Sequence, residues 1–227
     1  MTGRYWQGGV TAAEFNALRD DPRLPLLFAL ARLSNAMSLA HHGFGTPLKW
    51  QSPRAIKERT SAFLYVAGML HEGLILVESL GKYFRELPQY REEFATILAD
   101  SEVRRLRTRY LKPLRNQSVF HFDPDAVAAA LRQMKPTENV IFLTGGEANA
   151  AGVYFALADD LVLHHLIGEY DDQEKFLAEL EAFAIGTSAL FKRFTRATQR
   201  LVPAAFRQLG ARRLKPRRAA TPGANAR

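Results

Sequence analysis

The chain has 227 residues, 47% of them hydrophobic and 24% charged, which is the composition of an ordinary globular protein of one or two domains. It contains no cysteine, and this excludes a disulfide framework, a zinc finger, thiol catalysis and a cysteine-ligated iron–sulfur cluster. The net charge of +8 is unevenly distributed: residues 182–227 carry 11 Lys or Arg and no Asp or Glu, which leaves a net charge of −3 on residues 1–181.

The basic C-terminal end has three interpretations that composition does not separate. It suits a polyanion through counterion release, an anionic membrane surface, or a solubilising segment without a ligand. We expect one domain over residues 1–209 and a disordered basic tail over residues 210–227. If the tail binds RNA, its contacts are Arg212, Arg213, Lys215, Arg217 and Arg218.

The N-terminal third predicts two helices before the first long one. Thr11 and Glu14 have the spacing of a capping box, which predicts a short helix ending near Asp20. Apolar residues then recur every three or four positions over residues 24–41, which indicates one face of a second helix. The glycine-rich segment 42–47 is predicted to be a loop.

A long helix is predicted from Ser52-Pro53, an N-cap followed by proline at the first helical position, to Leu87 before Pro88. Apolar residues recur every seven positions over four heptads, so this helix is either the spine of a bundle or the seam of a dimer. Its members are Ile56, Phe63, Leu70, Val77 and Phe84. Glycines 68, 73 and 81 predict close helix–helix contacts, because glycine inside a helix is otherwise destabilising.

The second half of the chain is also predicted to be helical. We expect one helix over residues 88–99 and a second that is capped by Ser101 and kinks or restarts at Pro113. Two more are expected over residues 126–134 and 147–167. The last helix is expected to run from Asp171 or Asp172 to Pro203. Residues 139–144 are the one stretch that looks extended. The sequence therefore predicts an all-α antiparallel helical bundle with one long central helix.

No membrane span is expected. The most apolar long window, residues 63–81, includes His71, Glu72 and Glu78, whereas a span needs about 20 mostly apolar residues. The first residues lack the apolar run of a signal peptide, so we expect a cytoplasmic protein.

One short segment carries chemistry. Arg115 and Asn116 are followed, after four residues, by His121, which is an R-N-x-x-x-x-H motif late in a predicted central helix. This segment resembles the signature of the HEPN superfamily, helical-bundle nucleases of toxin–antitoxin, antiviral and CRISPR-associated systems. The close resemblance covers about ten residues together with the all-helical character of the chain. It implies a metal-independent endoribonuclease without a cofactor, RNA as substrate, a homodimer, and a cognate antitoxin or regulator as a further partner.

The residue types of the motif suit that chemistry. A helix C-terminus favours imidazolium, so His121 is placed to act as general acid or base on the 2′-OH or the 5′-oxygen. Arg115 supplies a fixed charge and a fork of donors to a phosphate in the transition state. Asn116 is a candidate to orient the imidazole or a phosphate oxygen.

Geometry sets a condition on this interpretation. Residues six positions apart lie about 240° apart around a helix, with about 9 Å of rise, so Arg115 and His121 are not natural neighbours. Bringing them together requires the Pro113 kink, a frayed helix end, the reach of Arg, or two motifs that meet across a dimer.

Other sites and function classes are weaker. The pairs His41-His42 and His164-His165 are metal-ligand candidates, but neighbouring residues on a helix point about 100° apart, so no metal site is predicted. His71-Glu72 lacks the second histidine of a zinc-protease motif. The alternatives to an enzyme are a non-catalytic helical dimer that binds RNA, a nucleotide or a protein, and a membrane-surface adaptor that acts through the tail.

Overall fold

The described residues are predominantly helical, which confirms the prediction of an all-α fold. A computed structural model provides the coordinates, and every structural statement below concerns the residues that it describes. These are residues 7–45, 53–116, 131–132, 144–145, 153–154, 161–163, 166–168 and 172–214.

The first helix begins where its capping box predicts, and the second begins one residue before the predicted position 24. Helix α1 spans Ala12–Leu18, and the capping box is complete: the Thr11 hydroxyl accepts from the Glu14 amide, and Oε2 of Glu14 accepts from the Thr11 amide at 2.7 Å. Helix α2 spans Arg23–Gly45. The predicted loop at residues 42–45 is therefore wrong. The helix continues through Gly43 to Gly45. Residues 46 and 47 of the predicted loop lie outside the described residues.

Helix α3, Pro53–Phe84, is the spine of the bundle. Its heptad residues Leu70, Val77 and Phe84 are buried within this single chain, in the same core as residues of α2 and of the last helix. The stripe is therefore not an exposed seam between two copies. The helix ends three residues before the predicted Leu87.

Two glycines of α3 allow neighbouring aromatic rings to approach the backbone. A Cβ at Gly73 would overlap the ring of Phe194, and a Cβ at Gly81 would overlap the phenol of Tyr90. The Tyr90 hydroxyl donates to the Val77 carbonyl at 3.0 Å. The prediction of close approach is confirmed at these two positions.

Two shorter helices each contain a π-helical turn. Helix α4 joins Tyr90–Phe94, which is π-helical, to α-helical Ala95–Ala99. Helix α5 joins Ser101–Leu106, the π-helical Arg107–Leu111, and Lys112–Leu114. Its N-cap is Asp100 and not Ser101, because the Asp100 carboxylate accepts from the Glu102 amide at 2.9 Å.

Pro113 does not break α5, and the π-helical turn lies directly before it. Proline lacks the N–H that would bond to the carbonyl four residues earlier, and its ring crowds that carbonyl. A π-helical turn is a local widening of the helix that accommodates such a disruption. The predicted face of α5 is buried as expected, at Val103, Leu106, Tyr110 and Leu114.

Helix α6, Gln173–Gln208, is the longest in the described part of the chain, and it packs against α3, the predicted long central helix. Asp172 caps it by accepting from the Lys175 amide at 2.9 Å. The predicted end at Pro203 is wrong. The carbonyl left without a partner is that of Gln199, whose residue is exposed, so water can bond to it and the helix continues. Contacts of Asp100 with Arg193 and of Tyr110 with Glu179 show that α5 and α6 run antiparallel.

Two short antiparallel ladders complete the described structure. Strand β1, Gln7–Gly9, pairs with β4, Arg212–Leu214. Strand β2, Thr144–Gly145, pairs with β3, Val153–Tyr154. The extended prediction for residues 139–144 therefore holds at Thr144, and residues 139–143 lie outside the described residues.

The pairing of β2 with β3 contradicts one predicted helix. The pairing of β1 with β4 includes residues that the sequence assigns to the tail. Val153 and Tyr154 are extended where we expected helix over 147–167; within that range only residues 161–163 and 166–167 are described as helical. Cross-strand pairing with Thr144 and Gly145, ten and eight positions earlier, has overridden the helical preference of this segment. Residues 212–214, assigned above to the tail, are paired with β1.

One described segment, Glu58–Phe84 in α3, is long and apolar enough to cross a membrane. In its most apolar window 56% is buried inside the protein, and core helices of soluble proteins meet the same criterion. This feature alone does not decide for or against a membrane span.

Candidate functional site

Arg115 and Asn116 lie together directly after Lys112–Leu114, the last part of α5. Arg115 retains helical backbone angles, and its Nη1 donates to Oδ1 of Asn116 at 3.2 Å. Its Nε donates to Oε1 of Glu72 in α3 at 2.5 Å, and both side chains are 35% exposed. The guanidinium is thus oriented by a carboxylate that lies 43 residues earlier in the sequence. His121 lies outside the described residues, so its position relative to Arg115 is not part of this geometry.

His71 also belongs to this cluster. In the sequence it stands out only as part of an incomplete zinc-protease motif. It precedes Glu72, is 6% exposed, and its Nδ1 has no hydrogen-bond partner in the described part of the chain. Burial lowers the pKa of His71, and the cation of Arg107 lowers it further, while Glu72 opposes the shift. A buried imidazole whose pKa is lowered therefore lies within electrostatic reach of Glu72 and Arg115. Its burial is explained by its helix face, since His71 lies four residues after the buried Ala67 and three before the buried Leu74.

Two further cations of α5 near this cluster, Arg107 and Arg109, meet carboxylates. Arg107 donates from Nη2 to Oε2 of Glu78 at 3.0 Å, and Nη2 of Arg109 lies 3.1 Å from Oε2 of Glu179. These pairs join α5 to α3 and to α6. Because they are partly exposed, each contributes at most about 1 kcal/mol to stability.

A second cationic surface lies on α6, and the sequence reasoning did not single it out. We call Lys192, Arg193, Arg196 and Arg200 the basic face of α6, because they fall within about 100° around the helix. Arg193 Nη1 lies 2.6 Å from Oδ2 of Asp100, and Arg200 pairs with Glu93. Lys192 and Arg196 are exposed and make no ion pair with any described residue. Residues 182–227 contain no Asp or Glu, which is the sequence feature that points to this face. Composition alone does not separate its cations from those of the tail.

The tail residues proposed for RNA are divided by the structure. Arg212 and Arg213 lie in β4, and Nη1 of Arg212 lies 2.7 Å from Oε1 of Glu14 in α1. That hydrogen bond is the largest cause that lowers the pKa of Glu14 to about 2. Arg212 therefore holds the ladder against α1 and is not a free tail cation. Lys215, Arg217 and Arg218 lie outside the described residues.

Among the described residues, no three His, Asp or Glu side chains lie together in a way that would hold an ion. Nothing is described of the side chains of His41, His42, His164 and His165.

No protein-family model, no curated protein and no solved structure matches this chain. The motif and the geometry around it carry the functional argument.

His71 makes the stability of the protein sensitive to acid. The unfolded state takes up a proton near the ordinary histidine pKa of 6.5, whereas the folded state resists protonation because its pKa is lowered. Below about pH 6.5 the unfolded state therefore binds more protons, and stability falls as the pH falls. We expect His71→Leu to lose less stability than wild type between pH 7 and pH 5 in urea titrations. Both proteins keep the other five histidines, so equal pH slopes would contradict the account.

Proposed function

We propose that this chain is a metal-independent endoribonuclease of HEPN type, with His121 as general acid or base and Arg115 stabilising the phosphate. The observation that supports it is the placement of Arg115 and Asn116. In an all-α chain, the two described residues of the motif lie side by side directly after Leu114 of α5, and Glu72 orients the guanidinium. An oriented fork of donors is what a phosphate requires as its charge grows in the transition state.

The proposed reaction is a transesterification within the RNA strand. His121 removes the proton of a 2′-OH, and the oxygen attacks the neighbouring phosphorus as the bond to the 5′-oxygen breaks. The 5′-oxygen takes up a proton, from the imidazolium or from water. Arg115 offers donors to the non-bridging oxygens, and the amide of Asn116 fixes the plane of the guanidinium through the hydrogen bond at 3.2 Å.

The basic face of α6 is proposed as the surface that holds the rest of the strand. Tyr110 contacts Glu179, so Arg115 lies toward the N-terminal end of α6, whereas Arg196 lies 23 residues after Gln173. At about 1.5 Å per residue the two regions are about 35 Å apart. An RNA that reaches both is therefore about ten nucleotides long or longer, at about 3.4 Å per stacked nucleotide.

The basic face should determine the salt dependence of RNA binding. Each phosphate contact on a single strand adds about 0.7 to the slope of log K against log salt. We expect the Lys192→Ala/Arg196→Ala variant to bind a 20-nucleotide RNA more weakly, with a slope smaller by about 1.4. Fluorescence anisotropy at several salt concentrations measures both effects. The control is Arg32→Ala/Lys82→Ala, which removes two exposed cations from α2 and α3. If the control lowers the slope equally, net charge and not this face is responsible.

The second candidate is a non-catalytic HEPN-like helical dimer that binds RNA, a nucleotide or a protein partner. The Glu72–Arg115 pair favours it, because a carboxylate 2.5 Å from Nε competes with a phosphate for the same guanidinium. For this candidate wild type does not cleave RNA, and substitutions at Arg115 change only affinity or stability.

We also propose that the active form is a homodimer and that it acts in the cytoplasm as a toxin or antiviral effector restrained by an antitoxin or regulator. The support for the dimer is the separation of six residues between Arg115 and His121, which one straight helix does not bring together. The buried heptad stripe of α3 gives it no support.

A further inference from the structure

A cavity of about 960 Å³ lies at the opposite end of α6 from the Arg115 cluster. Its walls come from α1, from the first turns of α2, from the last turns of α6 and from the ends of β1 and β4. The ladder that ties residues 7–9 to residues 212–214 closes one side. Its volume lies within the range of sites that bind small organic molecules.

The lining is apolar and partly open to solvent. Leu24 and Leu209 are buried, whereas Phe15 and Phe28 line the same cavity at 47% and 51% exposure. The rings of Phe28 and Phe206 lie 5.3 Å apart. Aromatic side chains left exposed around a concave apolar surface mark a site where apolar area remains to be buried.

The charges at the cavity have one sign. Among the described residues, its only charged lining groups are Arg207 and Arg212, and no acidic side chain lines it. Arg212 is neutralised by Glu14 at 2.7 Å. Arg207 is exposed and makes no ion pair with any described residue. An apolar chamber with one unneutralised cation at its edge complements a molecule with an apolar body and one anionic end.

We propose that this cavity binds a small amphipathic anion, an aliphatic chain that ends in a carboxylate. The chain lies against Phe28, Val202 and Phe206, and the carboxylate accepts hydrogen bonds from the guanidinium of Arg207. This site is independent of the proposed RNA chemistry. It is carried by the apolar lining, the volume and the position of Arg207, and it involves neither the motif nor the basic face of α6.

The test is calorimetric titration of the full chain with dodecanoate, kept below its micellar concentration. We expect saturable binding of one molecule per chain to wild type. Arg207→Gln should weaken it about tenfold, because the variant loses the charge-assisted hydrogen bonds to the carboxylate. Arg196→Gln, which removes an exposed cation of the same helix outside the cavity, should bind as wild type does. Dodecanol and the dodecyltrimethylammonium cation should bind at least tenfold more weakly than dodecanoate.

Four results would overturn the proposal. The first is no saturable binding of dodecanoate. The second is equal binding of dodecyltrimethylammonium or of the Arg207→Gln variant. The third is binding that appears only after deletion of residues 1–6, which would make the chain's own N-terminal segment the occupant. The fourth is association with phosphatidylglycerol vesicles but not with monomeric dodecanoate, which would indicate a membrane surface. Loss of RNA cleavage in other variants would leave this result unaffected.

Discussion

Replacing Phe194 with alanine is expected to destabilise the protein by about 3–5 kcal/mol, the usual effect of removing a fully buried aromatic ring. Phe194 is 0% exposed and lies where three helices meet. Its ring packs edge-on to Phe94 of α4 at 5.4 Å and lies directly over Gly73 of α3. Chemical denaturation measures the change, and for a chain of this length the melting temperature should fall by about 10 °C.

Two comparisons make this expectation specific. Ile185→Ala removes an apolar side chain that is 62% exposed on the same helix, and its effect should stay below about 1 kcal/mol. Gly73→Ala should destabilise wild type, because the added Cβ overlaps the ring of Phe194, but it should do less harm beside Phe194→Ala, where the ring is gone. Additive effects of the two substitutions would contradict the proposed contact.

Arg115→Ala is expected to lower the rate of RNA cleavage at least about 10²-fold, the effect of removing one preorganised donor from a developing charge. Arg115→Lys should restore little, because a point charge does not reproduce the guanidinium fork that donates to both Glu72 and Asn116. Stability should change by at most about 1 kcal/mol, since the pair with Glu72 is partly exposed. Single-turnover kinetics measures the cleavage rate, and urea titration measures the free energy of unfolding.

Mixing inactive variants tests whether the site is shared between two copies. If Arg115 of one copy acts with His121 of the other, then Arg115→Ala and His121→Ala chains form heterodimers with one intact site. Random mixing should then restore about a quarter of wild-type activity. Equimolar mixtures that stay inactive after re-equilibration would show that the two residues act within one chain, or that no such dimer forms.

Local sequence patterns predicted a helix well where its formation depends on residues close to one another in the sequence. The capping box at Thr11 and Glu14 and the heptads of α3 depend only on neighbours within seven residues, and both are present. For Pro113 the sequence predicts a kink or a restart of the helix, and for Pro203 it predicts a helix end. A proline ends a helix or not depending on which group bonds to the carbonyl four residues before it. That group is set by the fold and not by the local sequence.

The candidate site was only partly predictable for a related reason. The motif identifies Arg115 and Asn116, but their orientation comes from Glu72, which is distant in sequence and is brought near by the packing of α5 on α3. The same packing surrounds His71 with the cations of Arg107, Lys112 and Arg115. The pairing of β1 with β4 joins opposite ends of the chain, so no local pattern reveals that Arg212 is bound to Glu14.

The central claim is that His121 cleaves RNA without a metal, and one measurement tests it most directly. Purified wild type and His121→Ala are incubated with a 20-nucleotide RNA in EDTA, and 2′,3′-cyclic phosphate ends are quantified over time. We predict that wild type cleaves at the same rate with and without EDTA, and that His121→Ala is slower by at least about 10²-fold. Cleavage that EDTA abolishes, cleavage by His121→Ala at the wild-type rate, or no cleavage by wild type would contradict it.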